Sequence, residues 1–342
     1  MTNREIANQL NISPAALSLI LNHKPGVSDS TRERVLKAIT DMGYSHLIKK
    51  RQTPESLPSN FAFVIYKKNG KILNQHPFFL LLMESIENRA RKYGYNIMLT
   101  TIDKKMDVMP QIRNLEEMNI KGVIIFATEM DASDIQHFEV LKVPFVAIDN
   151  NFPHLDVNTV CINNEIGTYQ AVEYLVNMGH KKIGYLQSND TISSFCEREQ
   201  GYQNAMNTFG LSLDSAHIFK IPYTEEGSYQ AFKKLLDTNI ELPTAFVSDD
   251  DTIATGVMKA LTEKGLRIPE DVSIVGFNDR PSCEISSPPL TSINVPRHSF
   301  GSEAVDALVK MVQRREHDSN MTRSLKLRIG TQLTIRSSVA QQ

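Results

Sequence analysis

The residues able to do chemistry are unevenly spread along this 342-residue chain. Cationic side chains, which neutralise phosphate, gather at the N-terminus: residues 1–53 hold eight Lys or Arg against four Asp or Glu, a balance of +4. The remainder holds 29 basic and 35 acidic residues, so the net charge of -2 hides a basic head on an acidic body. That split suits a phosphate-facing module joined to a part that does not touch nucleic acid, although solvated helix faces give the same numbers. Nucleophiles and metal ligands are sparse by contrast. Cys161, Cys196 and Cys283 are odd in number, far apart and without a C-x-x-C pair, which argues for reduced thiols and against zinc or a disulfide framework. No G-x-G-x-x-G follows the first strand, and neither a Walker loop nor a nucleophile elbow occurs. His180, in MGHKKIGY where a helix hands over to a strand, reads as a helix C-terminal cap rather than a catalytic base. No cofactor and no metal are expected. An enzyme is the least favoured class, because the strand ends supply no set of acid, base and nucleophile.

The elements that position the basic head are three short helices. Arg4 to Leu10 puts Ile6, Ala7 and Leu10 on one face, with Thr2 or Asn3 as N-cap, and Asn11 tolerates the left-handed turn that follows. Ser13 and Pro14 open the second helix as N-cap and first residue, and Leu17, Ile20 and Leu21 form its inner stripe. Ser30-x-x-Glu33 predicts a capping box ahead of a third helix, whose Val35, Ile39 and Met42 face inward before Gly43 stops it. A three-residue turn between the first two helices makes this a helix-turn-helix. Residues 47–60, LIKKRQTPESLPSN, carry basic residues and two prolines but no apolar stripe, and read as a hinge or linker.

From Phe61 onward short apolar strands alternate with helices, many of which end at Gly. The strands fall at 61–66, 96–102, 122–127, 145–149, 160–163, 182–187, 218–223, 244–249 and 272–277. Such strands imply parallel sheets covered on both faces, and their number suits two doubly wound lobes better than one wide sheet. At 41% hydrophobic, the chain can bury more than one core. The N-terminus has no apolar signal core, and the apolar run from Phe78 to Met83 is too short to span a bilayer. A soluble cytoplasmic protein is expected, with no membrane partner.

The sequence resembles the lactose-repressor/galactose-repressor (LacI/GalR) family of bacterial regulators nearly end to end. REIANQLNISPAALSLILN resembles its DNA-binding signature, and VSDSTRERVLKAITDMGY the third helix with its flanks. HPFFLLLMESIE, LVNMGHKKIGYL, SDDDTIATGVMKAL, GLRIPEDVSIVGFND and PPLTSINVP resemble successive blocks of its sensor. The resemblance implies an all-α helix-turn-helix domain (1–46), a hinge (47–59) and an α/β two-lobed domain (60–342) like the periplasmic binding proteins. Three crossings are placed near Asn163, Thr291 and Asn320. Lobe 1 is then 60–161 and 291–320, and lobe 2 is 162–290 and 321–342.

On the DNA side, the motif positions imply base contact by Pro14, Ala15 and Leu19, with Ser13, Ala16, Ser18 and Asn22 near the backbone. Thr2 joins these DNA-binding candidates. Leu19 and Ala16 replace the longer polar residues usual there, so readout should lean on thymine methyls, unless Leu19 packs inward. Lys49, Lys50 and Arg51 could meet phosphates in the hinge. Thr53 stands where the family has a minor-groove Leu, and Pro54 follows it, which predicts weaker or differently shaped DNA bending unless Leu57 substitutes. On the ligand side, the family positions fall on Phe78, Phe79, Asn150, Arg198, Tyr223, Asp250 and Asn278, with Asp251 capping the helix that follows. Asn278 and Asn163 stand where Asp is usual, so a sugar or polyol effector is expected ahead of a purine. The implied whole is a repressor that binds a pseudo-palindromic operator as a homodimer or tetramer. A regulator controlled by a phosphoprotein partner and a solute-binding protein remain as alternatives.

Overall fold

A computed structural model describes residues 3–21, 26–44, 47, 59–70, 78–238, 240–317 and 324–342. The chain divides into two units, Met1–Pro58 and Ser59–Gln342.

The first unit holds α1 (Asn3–Gln9), α2 (Pro14–Leu21) and α3 (Asp29–Asp41). Its core is the apolar set the period predicts: Ile6, Ala7, Leu17, Ile20, Leu21, Val35 and Ile39 are buried, with Leu10 and Met42 packed against them. Asn11 takes a left-handed φ of 53° to turn the chain between α1 and α2, a conformation Asn tolerates better than most residues. The start of α3 differs from expectation. It begins at Asp29 with Ser28 as N-cap, so Ser30 lies inside the first turn. The Ser28 hydroxyl bonds the hydroxyls of Ser30 (3.4 Å) and Thr31 (2.8 Å) rather than a backbone amide. Serines in a row at 28 and 30 made the cap ambiguous.

The second unit carries two six-stranded sheets. The first is built from β1 (Ser59–Lys67), β2 (Tyr95–Asp103), β3 (Ile120–Phe126), β4 (Phe145–Ile148), β5 (Thr159–Ile162) and β11 (Lys326–Ile329), ordered β2-β1-β3-β4-β5-β11 and parallel throughout. The second contains β6 (Ile183–Ser188), β7 (Ile218–Ile221), β8 (Ala245–Ser248), β9 (Ser273–Asn278), β10 (Thr291–Asn294) and β12 (Gln332–Thr334). Its order is β7-β6-β8-β9-β10-β12, and only β12 runs antiparallel. All nine expected strands are present, with ends shifted by up to two residues.

Helices α4 (Phe78–Lys92), α5 (Val108–Glu117), α6 (Ala132–Gln136) and α12 (Arg297–His317) serve the first lobe. Helices α7 (Asn164–Asn177), α8 (Ser193–Thr208), α9 (Glu225–Leu236), α10 (Asp251–Glu263) and α11 (Ser282–Ile285) serve the second. Helix α12 docks on α4 closely enough that a Cβ on Gly301 would sit 2.8 Å from Ser85, and Arg89 clasps Asp306 through two bonds of 2.7 Å. The sheet interiors are apolar, with Phe61, Phe63, Phe126, Tyr185 and Phe277 buried, each stabilising by roughly 1.5–3 kcal/mol.

The lobe boundaries depart from the sequence reading twice. Residues 291–294, expected in lobe 1, form β10 beside β9 in the second sheet, so that crossing comes after Asn294. Thr291 and Ser292 look like loop residues, but both are buried and satisfied: Ser292 Oγ donates to Asp251 at 2.6 Å, and the Thr291 amide donates to Ser338 at 2.9 Å. The crossing expected at Asn320 falls outside the described residues. Strand β11 still pairs with β5, so residues 324–329 belong to the first lobe and the last change of sheet comes at 330–331. Its edge position and mixed polarity gave that strand no buried apolar run.

Candidate functional site

The second helix of the head presents its outer face by the logic of its caps. Ser13 Oγ accepts the Ala16 amide at 3.0 Å, satisfying one of the orphan donors of the first turn. With Leu17, Ile20 and Leu21 turned inward, Ser13, Pro14, Ala15 and Ser18 are exposed and Ala16 is half-buried. Leu19 is also half-buried, and a Cβ added to Gly26 would lie 3.3 Å from its Cδ1, so the side chain packs beside Gly26. Thr2, Asn22, Lys49, Lys50 and Arg51 lie outside the described residues, as do Thr53, Pro54 and Leu57.

The sensor's site lies between the lobes, at the carboxyl ends of strands from both sheets, where doubly wound folds bind ligands. A cavity of about 370 Å³ is lined by Lys68, Thr128, Glu129 and Asn150 from the first lobe and by Asp190 and Ile192 from the second. A chamber of about 20 Å³ adjoins it, sharing Thr128 and Ile192. Phe126 and Asp149 reach this chamber from one side and Phe195, Arg198, Asp250 and Asn278 from the other.

Arg198 is fixed before any ligand arrives. Its Nε donates to Asn164 Oδ1 at 3.0 Å, one terminal nitrogen donates to the Asp249 carbonyl, and the other reaches Asn278 Oδ1 at a long 3.5 Å. The guanidinium also lies 3.8 Å over the Phe277 ring, a cation–π contact in a dry setting. Asn278 and Asp250 form the facing pair. The Asn278 side-chain amide donates to Asp250 Oδ2, which also accepts Tyr223 Oη (3.2 Å) and Arg280 (3.2 Å). An Asp at 278 would set two buried carboxylates against each other, so the asparagine makes a bond there in place of a repulsion.

The triplet 249–251 departs from what the family resemblance implies. Asp250, not Asp251, is the N-cap of α10, its Oδ1 accepting the Thr252 amide at 2.7 Å. Asp251 is wholly buried and holds Ser292 and the Arg280 amide, the latter at 2.9 Å. Burial, with the Asp250 charge adding to it, raises its carboxyl to about 7. Asp250 still lines the chamber, so one residue both caps α10 and faces the ligand site, and the run of three Asp residues left the capping position ambiguous. Burial likewise pushes Asp249 up to about 7, against the Ser188 amide and Tyr185 hydroxyl that favour its charged form.

Two expected ligand residues stand elsewhere than at the chamber. Asn150 lines the larger cavity, but its amide turns inward to the carbonyls of Ala127 (3.2 Å) and Met130 (2.8 Å), bracing the loop. Tyr223 is buried one layer behind, between Asp250 and Arg280 (2.9 Å). Phe78 and Phe79 begin α4, and their side chains lie outside the described residues. Asp149 was missed. It sits at the end of β4 with φ 64° and its carboxylate accepts Thr128 Oγ1 at 2.5 Å. Burial raises it to about 6, opposed by the Thr128 bond and the Arg198 charge. A charged residue closing an apolar strand at a strand's carboxyl end was the available signal. His180 is structural: buried, with Nδ1 at 2.9 Å from Thr244 Oγ1 and Nε2 at 3.1 Å from the Ala340 carbonyl, it ties α7 to the C-terminal tail.

Comparison with known proteins now decides what this architecture is. A profile described as "Periplasmic binding proteins and sugar binding domain of LacI family" matches residues 62–335, and "Bacterial regulatory proteins, lacI family" matches 2–46. The chain belongs to the LacI family. Within it, the transcriptional repressor PurR of Haemophilus influenzae is 27% identical over 342 residues, covering 99% of this chain and 98% of its own. Among solved structures, the regulator CelR in complex with cellobiose superposes with a TM-score of 0.71 at 24% identity. The lac repressor dimer bound to operator and the anti-inducer ONPF superposes at 0.72 and 22%; each covers 99% of both chains. This LacI-family protein is therefore a DNA-binding transcription regulator with a helix-turn-helix head and a two-lobed small-molecule sensor. Among the described residues no helix is long and apolar enough to cross a membrane.

Proposed function

We propose that a sugar or sugar derivative binds between the lobes and sets the operator affinity of a dimeric repressor. The observation that carries this reading is the convergence of Asp149, Arg198, Asp250 and Asn278 from two lobes on one small chamber beside a larger cavity. Carboxylates and an asparagine accept hydrogen bonds from hydroxyls, a fixed guanidinium donates to hydroxyl oxygens, and Phe126 and Phe195 offer apolar surface to the apolar side of a sugar ring. The chamber is too small for such a ligand in this arrangement, having room for about one water. Ligand entry therefore requires the lobes to separate or rotate about the three crossings. A ligand that prefers one arrangement shifts the balance, and ~1–3 kcal/mol of coupling gives about 5–150-fold regulation.

In the head, Ser13, Pro14, Ala15, Ala16, Ser18 and Leu19 would face DNA. Their short and apolar side chains favour methyl contacts over bidentate readout. Two heads on a two-fold axis would read half-sites ~34 Å apart. Thermal shift of the full-length protein against a panel of sugars and nucleosides tests the sensor. A sugar should raise the melting temperature of the wild type and leave Arg198→Ala unmoved. No response in the wild type, or an equal one in the variant, would contradict the proposal.

A further inference from the structure

Glu129 lies in the loop between β3 and α6 and is 6% exposed, yet it lines the larger cavity. One of its oxygens, Oε2, accepts three successive backbone amides: Lys68 at 2.9 Å, Asn69 at 3.0 Å and Gly70 at 2.9 Å. Successive N–H groups converging on one point make a nest, a backbone concavity that binds anions. Gly70 closes it with φ +73°, where a Cβ would fall 2.4 Å from Lys67 Cε. Hydrogen bonds to a charged acceptor are roughly twice as strong as neutral ones, so the occupied nest is a firm attachment. The neighbouring cations are engaged as well. Lys68 Nζ is 2.6 Å from Asp131, and Lys104 Nζ is 2.6 Å from Asp134 and 3.6 Å from Asp131.

We propose that Glu129 is a built-in anion filling the cleft's backbone anion site, and that it makes the cleft select ligands without a phosphate or carboxylate group. A phosphorylated ligand would have to expel an attached carboxylate that is always present at high effective concentration. Otherwise it would lie in a cavity where Lys68 is already paired with Asp131 and where Glu129 and Asp190 add negative charge. A neutral hydroxyl faces neither obstacle. Glu129 thus acts as a specificity-determining residue, and the inference rests on the cleft being the effector site.

The test needs no knowledge of the effector, because inorganic phosphate is the probe. Glu129→Ala uncovers three amide donors on the cavity wall, so the variant should melt below the wild type. Phosphate, at matched ionic strength, should restore the loss in a saturable way. The wild type, measured alongside, corrects for the general stabilising effect of phosphate on folded proteins. Glu129→Gln leaves only a neutral, weaker acceptor in the nest that phosphate can displace, and it carries the test should the alanine variant not fold. Phosphate binding by titration calorimetry should be measurable in it and absent in the wild type. Equal phosphate responses in wild type and variants, or none in either variant, would overturn the proposal. Failure of the effector-cleft reading would show instead as no sugar response in the wild type, whatever phosphate does.

Discussion

The head and the strand ends of the second lobe are held together by opposite means. Among the described residues of the head, the seven buried in its core are all apolar and are drawn from three short helices. At the strand ends, Asp249, Asp250, Asp251, Asn278, Arg198 and Arg280 are all buried, and the Arg280–Asp250 ion pair spans 3.1 Å. An apolar core tolerates any side chain of the right size and fails by cavity. A buried polar cluster tolerates only matched partners and fails by leaving one charge or donor unmet. The first arrangement suits a small module that must only keep its shape. The second suits a switch, because small rearrangements change large energies.

The comparison breaks most readily in the head. Leu17→Ala should cost ~2–5 kcal/mol, comparable with all the stability a unit of this size can muster. Hydrogen exchange should show residues of α1–α3 losing protection while those of the two sheets keep theirs. Equal loss in both units would contradict their independence. Arg198→Ala should come next, at ~1–3 kcal/mol for each buried acceptor left unmet, read from denaturant midpoints. Arg198→Lys should recover charge without the fork and remain impaired.

Asn278→Asp separates charge from shape. Facing Asp250, the new carboxyl would have its pKa raised above its unfolded value of ~3.9, so the folded state would favour the protonated form. The variant should match the wild type near pH 4 and fall behind as pH rises, by ~1–3 kcal/mol at neutral pH. A deficit independent of pH would point to packing instead. Asp149, raised to about 6, gives a further handle. Below that pH it protonates and stops accepting a ligand hydroxyl as a carboxylate, so sugar affinity should weaken as pH falls through about 6. In the absence of ligand the sign is reversed: its raised pKa makes its contribution to stability decline as pH rises from about 4 to about 6. The smallest effect belongs to Leu19→Ala. Selection from a random DNA pool should show relaxed preference at one base step, worth ~1 kcal/mol.

The same contrast explains what could be read in advance. A stripe such as Leu17, Ile20 and Leu21 announces itself because apolar burial follows a local period, and the nine strands did so for the same reason. Arg198 and Asn278 were reachable only through resemblance, since their contact joins residues 80 apart in sequence. The capping role expected of Asp251 falls to Asp250, which also lines the chamber, because three identical residues carry no information about register. Asp149 showed only as a charged residue closing an apolar strand, and Glu129 depends on a backbone nest that no side-chain pattern reveals. Strand β10 escaped because its buried hydroxyls are satisfied by residues distant in the chain, Asp251 among them.

The most direct test of a coupled head and cleft is operator binding, measured by fluorescence anisotropy on a DNA site selected from a random pool. The measurement is made with and without the sugar that raises the melting temperature most. Coupling predicts a change of about 5–150-fold in the wild type and none in Arg198→Ala. An operator affinity indifferent to the sugar, or a shift that survives in Arg198→Ala, would contradict it.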